Sequence, residues 1–170
     1  MTATSDASSA SSIPAEHHLA GITPNTSRRP TILGTHGMAV SGHYLASLAG
    51  LRVLESGGNA IDAGVSMGLA TNVLESTFTG LGGVAPCLLY RAAHDEVVCI
   101  SGVGWMPKAA SCEYFQIHHG GIVQGIHAQV VPAAADAWLT ALEEFGTWSF
   151  AEVAAAAITL ASIKSAGCHE

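Results

Sequence analysis

The sequence predicts an α+β fold with helices packed on an antiparallel sheet, and three observations carry the prediction. Two apolar segments at helical spacing occupy the first half, two short strand-like segments flank a polar turn in the middle, and two more helical segments follow a proline. The 170 residues are enough for one domain and too few for two.

Residues 1–30 are rich in Ser, Thr, Ala and Pro without periodicity, so they cannot bury enough apolar area to offset ordering entropy and are predicted to form a flexible leader. Residues 31–163 are the predicted folded part. Met38 to Ser41 is a short extended candidate. Leu45, Leu48, Ala49, Leu51 and Leu54 then predict a helix over 43–56, stopped by Gly57-Gly58. Asn59 is the expected N-cap of a second helix over 60–74, with Asp62 at the favourable positive end of its dipole. Its inward stripe is Ile61, Val65, Gly68/Leu69 and Val73, and its small residues (Ala60, Ala63, Gly64, Ser66, Gly68 and Ala70) predict a central helix that neighbours approach closely.

The segment 75–83 breaks the pattern, and Ala85–Arg91 with Val97–Ser101 reads as a hairpin around residues 93–96. From 102 to 131 the signals are mixed, with Pro107, His118-His119-Gly120-Gly121 and Gly125 marking loop. Pro132 is the expected first-turn proline of a helix carrying Ala135, Trp138, Leu139 and Leu142 and ending near Gly146. Phe150, Val153, Ala154, Ala157, Ile158 and Ala161 predict a last helix opening at Ser149.

Composition narrows the function classes. Apolar residues make up 49% and charged residues 11%, against ~25% charged in an ordinary soluble domain. That surplus predicts one piece of a larger fold rather than a self-contained domain. The longest apolar stretch, Val153 to Ile163, is interrupted by Thr159 and Ser162 and falls short of the ~20 residues that span a bilayer, so no membrane partner is expected. Lys+Arg 6 against Asp+Glu 13 gives a net charge of −7, which argues against nucleic acid. The first twelve residues lack the basic and apolar regions of a secretory signal, and the segment after Arg28-Arg29 is too short and polar for a twin-arginine core. As written, the chain is expected in the cytoplasm.

Candidate chemistry is sparse. Cys87, Cys99, Cys112 and Cys168 form no CxxC pair and are expected to be isolated buried thiols. Gly80-Leu81-Gly82-Gly83 follows a helix and opens a strand, with no Lys after it, so it is expected to serve a tight turn or a close approach rather than a phosphate. Nine histidines (His17, His18, His36, His43, His94, His118, His119, His127, His169) show no HxxxH or HExxH spacing, and no metal site is expected. A GxSxG elbow is absent. Thr2, exposed after loss of Met1, could act as nucleophile with its own amine as base, but a mobile leader does not preorganise it.

Several segments together resemble the start of the large subunit of the γ-glutamyltransferase (γ-glutamyltranspeptidase) family. They are GMAVSGHYLASLAGLRVLESGGNAIDAGVSMGLATNVLE at 37–75, STFTGLGG at 76–83, MPKAA at 106–110 and VVPAAADAWLTALEEFGTWSFAEVAAAAITLA at 130–161. The resemblance implies part of an N-terminal nucleophile hydrolase fold, an αββα sandwich, made as a precursor that cleaves itself to free a threonine at the head of a small subunit. That threonine attacks the γ-glutamyl amide of glutathione-type substrates and passes the acyl group to water or an acceptor, with no metal or organic cofactor.

The departures from the family pattern are as informative as the match. The chain stops before the place where the family threonine occurs, so no catalytic residue is assigned and the substrate-binding residues stay unassigned. Ser162 to Glu170 has no likeness to the family continuation, which makes residues 164–170 a divergent tail and predicts a truncated or frameshifted gene. Alignment on Pro107 places Val103 where typical members carry an arginine for the substrate α-carboxylate, a pairing valine cannot imitate. The expected partner is the missing small-subunit portion or a paralogue, and a γ-glutamyl small molecule is expected only in the complete enzyme. Family members are often periplasmic or extracellular. The rival expectation is a non-catalytic assembly module that docks on a separately encoded remainder.

Overall fold

The computed structural model describes residues 31–121 and 124–166. In chain order the elements are α1 (Tyr44–Glu55), α2 (Ala60–Leu74), β1 (Cys87–Arg91), β2 (Glu96–Ile100), α3 (Cys112–His119), a 3₁₀ turn (Ile126–Ala128), α4 (Ala134–Phe145) and α5 (Phe150–Ala166). Gly34–Glu170 forms one compact unit. The expected helices and hairpin are present within a few residues of their predicted bounds, and the architecture is mixed helix with a small antiparallel sheet.

α1 ends because Gly57 adopts φ +94°, which turns the chain so that the Gly57 and Gly58 N–H groups donate to the Leu54 and Val53 carbonyls. Asn59 then caps α2, its Oδ1 accepting from the Ile61 and Asp62 amides at 2.8 and 3.0 Å, while Asp62 Oδ2 accepts from the Asn59 amide at 2.8 Å. α2 is apolar around most of its circumference, as a central helix must be. One core cluster joins its Val65 and Leu69 to Leu142, Val153, Ala154 and Ala157, with Trp138 and Trp148 packed against it. A second joins Ala70 to Ala46 and Ala49 of α1. Gly68 serves the close approach expected of it, because a Cβ there would lie 3.0 Å from the Trp138 indole.

The buried Asp62 carboxylate also ties the start of α2 to the turn between α4 and α5. Its oxygens accept from the Thr147 amide at 2.9 Å, the Thr147 hydroxyl at 2.6 Å and the Trp148 amide at 3.1 Å, while Asn59 Nδ2 donates to the Phe145 carbonyl at 2.7 Å. Gly146 lies against this knot, and a Cβ there would sit 2.7 Å from the Leu142 carbonyl oxygen and 2.9 Å from Asp62 Oδ1. Gly146→Ala is therefore expected to destabilise the chain by about 2 kcal/mol, read as a lowered urea midpoint with unchanged slope.

Four expectations need correction. Met38 to Ser41 forms no strand, for no strand among the described residues pairs with it. The supposed loop 102–131 contains α3, whose Ser111 Oγ accepts from the Tyr114 amide at 3.1 Å and whose end is set by Gly120 at φ +70°. Phe115 is the one buried residue of α3, so no apolar stripe announced it. Pro132 lies outside α4, because the Ala133 and Ala134 amides donate to the Gly83 carbonyl and that tertiary acceptor fixes the helix start. The inward face of α4 is Ala134, Ala137, Ala141 and Leu142, rotated from the predicted stripe so that Leu139 is exposed and Ala135 and Trp138 are half-buried.

The sheet has two strands, paired antiparallel with Cys87 opposite Ile100 and Tyr90 opposite Val97. Arg91 bridges to Glu96 at 3.0 Å and lies over the Phe145 ring, 5.1 Å from its centroid. The outer face of the hairpin, Leu88, Tyr90, Val97 and Cys99, is exposed. No helix among the described residues is long and apolar enough to cross a membrane.

Candidate functional site

Three segments singled out in the sequence meet at the end of the hairpin that adjoins α4. The Gly-rich segment enters through a turn in which the Gly83 amide donates to the Gly80 carbonyl at 3.0 Å. The Ala85 amide then donates to the Gly102 carbonyl at 2.9 Å, and the Val131 amide to the Trp105 carbonyl at 2.8 Å. Together with the Gly83 carbonyl at the start of α4, these bonds clasp 83–85, 102–105 and 131–134 into one corner.

Gly102 and Gly104 make this corner possible. Both have positive φ (+55° and +83°), and a Cβ on either would fall on a carbonyl oxygen, that of Ala85 or that of Val131. Gly104→Ala is expected to cost about 3 kcal/mol and to release the Trp105–Val131 pairing, seen as fast amide exchange at Val131 with the helical amides still protected.

Gly80, Gly82 and Gly83 belong to the tight turn expected of them, and a Cβ on Gly83 would lie 3.2 Å from the Gly80 carbonyl oxygen. None has positive φ, and a Cβ on Gly80 or Gly82 would meet nothing within 4 Å. Their bare backbone instead borders a cleft of about 510 Å³ shared with Gly68, Thr71, Asn72 and Trp138. The side-chain nitrogen of Asn72 is sequestered from solvent there with no hydrogen-bond partner among the described residues. A second cleft of about 380 Å³ is lined by Ser101, Gly104, Trp105, Asp136 and Thr140. Trp105 is 86% exposed. Asn72, Trp105 and Asp136 went unnoticed in the sequence, since no spacing rule marks a residue whose neighbours come from other elements.

Val103 stands between the two positive-φ glycines with an exposed side chain. It contributes an aliphatic surface and no charge to the corner.

The thiols are less buried than expected. Cys87 is half-buried, its Sγ donating to the Ala85 carbonyl, whereas Cys99 and Cys112 are exposed. Cys99 faces outward because its strand has no layer over that face. Burial pushes the Cys87 thiol up, and the neighbouring Cys99 adds to it, so Cys87 is a poor thiolate. Cys168 and Thr2 lie outside the described residues.

The histidines are dispersed. His43 caps α1, its Nδ1 accepting from the Leu45 amide, and stacks on Tyr44. His36 bonds Thr35. His94 sits in the hairpin turn, His118 and His119 lie against Tyr114, and His127 lies against His119. His17, His18 and His169 lie outside the described residues. Among the described residues no group of three His, Cys, Asp or Glu side chains converges on a point. The corner offers backbone surface, an indole and a carboxylate, with no hydroxyl or thiol hydrogen-bonded to a base.

The gamma-glutamyltranspeptidase family model matches residues 46–163. Over 124 residues the chain is 36% identical to the glutathione hydrolase-like YwrD proenzyme of Bacillus subtilis, covering 72% of this chain and 24% of that protein. Among solved structures, cephalosporin acylase from Bacillus halodurans superposes with a TM-score of 0.73 at 30% identity, covering 83% of this chain and 26% of the other. Helicobacter pylori gamma-glutamyltranspeptidase superposes with a TM-score of 0.68 at 32% identity, covering 77% and 39%. The chain thus spans about a quarter of the length of the curated relative.

Proposed function

Since the chain belongs to the gamma-glutamyltranspeptidase family, we propose that it supplies the first helical layer and hairpin of an N-terminal nucleophile amide hydrolase or transferase, without itself carrying the nucleophile. The observation that carries this reading is the corner at 83–85, 102–105 and 131–134, which presents clefts and bare glycine backbone but no nucleophile paired with a base. In this reading, a small-subunit segment led by threonine brings nucleophile and base in one residue, and the corner shapes the wall against which the acyl group lies. The fold is that of its hydrolase and acylase neighbours.

The test is to assay the chain alone, and then joined to the family continuation that ends in a threonine-led small subunit, against a chromogenic γ-glutamyl anilide and a neutral N-acyl anilide. No turnover is expected from the chain alone, and amide cleavage is expected from the joined protein. Turnover by the chain alone overturns the reading. A second reading, an assembly module that docks on a separately encoded remainder, draws on the uncovered outer face of the hairpin. Activity restored by mixing separately folded parts favours it, and activity only in the covalently joined precursor favours the first.

Val103 bears on the acyl donor. With an aliphatic side chain where the family resemblance implies a carboxylate-binding arginine, we propose donors that lack an α-carboxylate. The joined protein is expected to cleave the neutral anilide faster than the γ-glutamyl one, and Val103→Arg to shift that ratio by at least about tenfold toward γ-glutamyl. An unchanged ratio refutes the assignment.

A further inference from the structure

We infer that His119 and His127 form a two-imidazole binding site for a divalent zinc-type ion on the face where α3 meets the 3₁₀ turn. His119 is the last residue of α3 and His127 the middle of the turn, so they come from separate elements joined through Gly120, Gly121 and Gly125, all at positive φ. Their ring centroids are 5.1 Å apart, with the planes tilted by 39°. That separation matches coordination: with a Zn–N bond of ~2.05 Å and a ring nitrogen ~1.1 Å from its centroid, two imidazoles at tetrahedral angle around one ion have centroids ~5.2 Å apart.

Both side chains are exposed, so a hydrated ion reaches them. The aromatic floor is fixed, since His119 lies 5.7 Å from Tyr114 and 6.2 Å from the buried Phe115, which limits the freedom lost on binding. Two protein ligands leave two positions for water, a weak and exchangeable site rather than a structural cage. Imidazole pairs suit zinc, nickel and copper, and zinc is chosen because the centroid spacing fits its tetrahedral preference. The spacing of eight residues in sequence gave no sign of this pair, because it belongs to no single helix face.

The test uses the full chain and ZnCl₂ in a non-coordinating buffer at neutral pH, followed by calorimetry and by the imidazole carbon-bound proton signals. One binding event is expected that shifts the His119 and His127 signals together. His119→Ala and His127→Ala are each expected to weaken that event at least about tenfold, while His94→Ala leaves it unchanged. Circular dichroism of the variants is expected to match the parent, since both side chains are exposed. Absence of binding up to about 1 mM zinc, or binding that survives both alanine substitutions, overturns the inference.

Discussion

Asp62→Ala is expected to lower the unfolding free energy by about 4 kcal/mol, because it leaves the Asn59, Thr147 and Trp148 amides and the Thr147 hydroxyl without their common acceptor in a buried position. Asp62→Asn, which keeps the shape but offers one carbonyl oxygen in place of a carboxylate, is expected to cost about half as much. Urea unfolding at low protein concentration measures both, and a loss under about 1 kcal/mol for the alanine variant would show that the knot does not hold α2 to the α4–α5 turn.

The pH dependence follows the same contacts. Burial alone raises the Asp62 carboxyl, but its hydrogen bonds from the Thr147 hydroxyl and from the Asn59, Thr147 and Trp148 amides outweigh burial and hold it below its usual value of 3.8. The folded carboxyl releases its proton more readily than the unfolded one, so its contribution is present above pH 3.8 and is lost as the pH falls through the lower folded value. The difference between the parent chain and Asp62→Asn is therefore expected to narrow below pH 3.8, and a constant difference down to strong acid refutes this origin.

The second large effect concerns the hairpin. Leu88, Tyr90 and Val97 are 75%, 64% and 62% exposed on one face, and both strands are sheet edges. Open edges beside an apolar face recruit further strands, so the chain by itself is expected to self-associate at roughly 50 µM. The double variant Leu88→Lys with Val97→Lys places two charges on that face and is expected to convert most of the material to monomer in sedimentation velocity. A monomeric parent chain at that concentration contradicts the expectation. This face also accounts for the composition: the scarcity of charge in the sequence corresponds to apolar area that the fold leaves uncovered.

Local chemistry made most elements legible. Asn59 and Asp62 announced the start of α2 because a short polar side chain before an apolar run has one efficient use, satisfying first-turn amides. Gly57-Gly58 announced the end of α1 because a left-handed residue closes a helix at little cost with glycine. The hairpin was readable from two β-branched or apolar runs around the residues 93–96. α3 was not, since eight residues with only Phe115 buried generate no periodicity, although Ser111 and Gly120 were the caps that could have marked it.

The family, too, was legible from four ordered stretches, and the family model confirms it over residues 46–163. The sequence by itself determined four of the five helices, the end of α1, the start of α2, the hairpin and the kinship, all of which depend on residues within a turn or two of one another or on ordered motifs. Only the tertiary structure decided that Asp62 joins residues 85 positions away, that Gly83 sets the start of α4, that Gly80 and Gly82 face open space, and that His119 meets His127. Those facts depend on how separate elements are oriented when their apolar faces pack, and packing direction is a property of the whole core rather than of any local spacing.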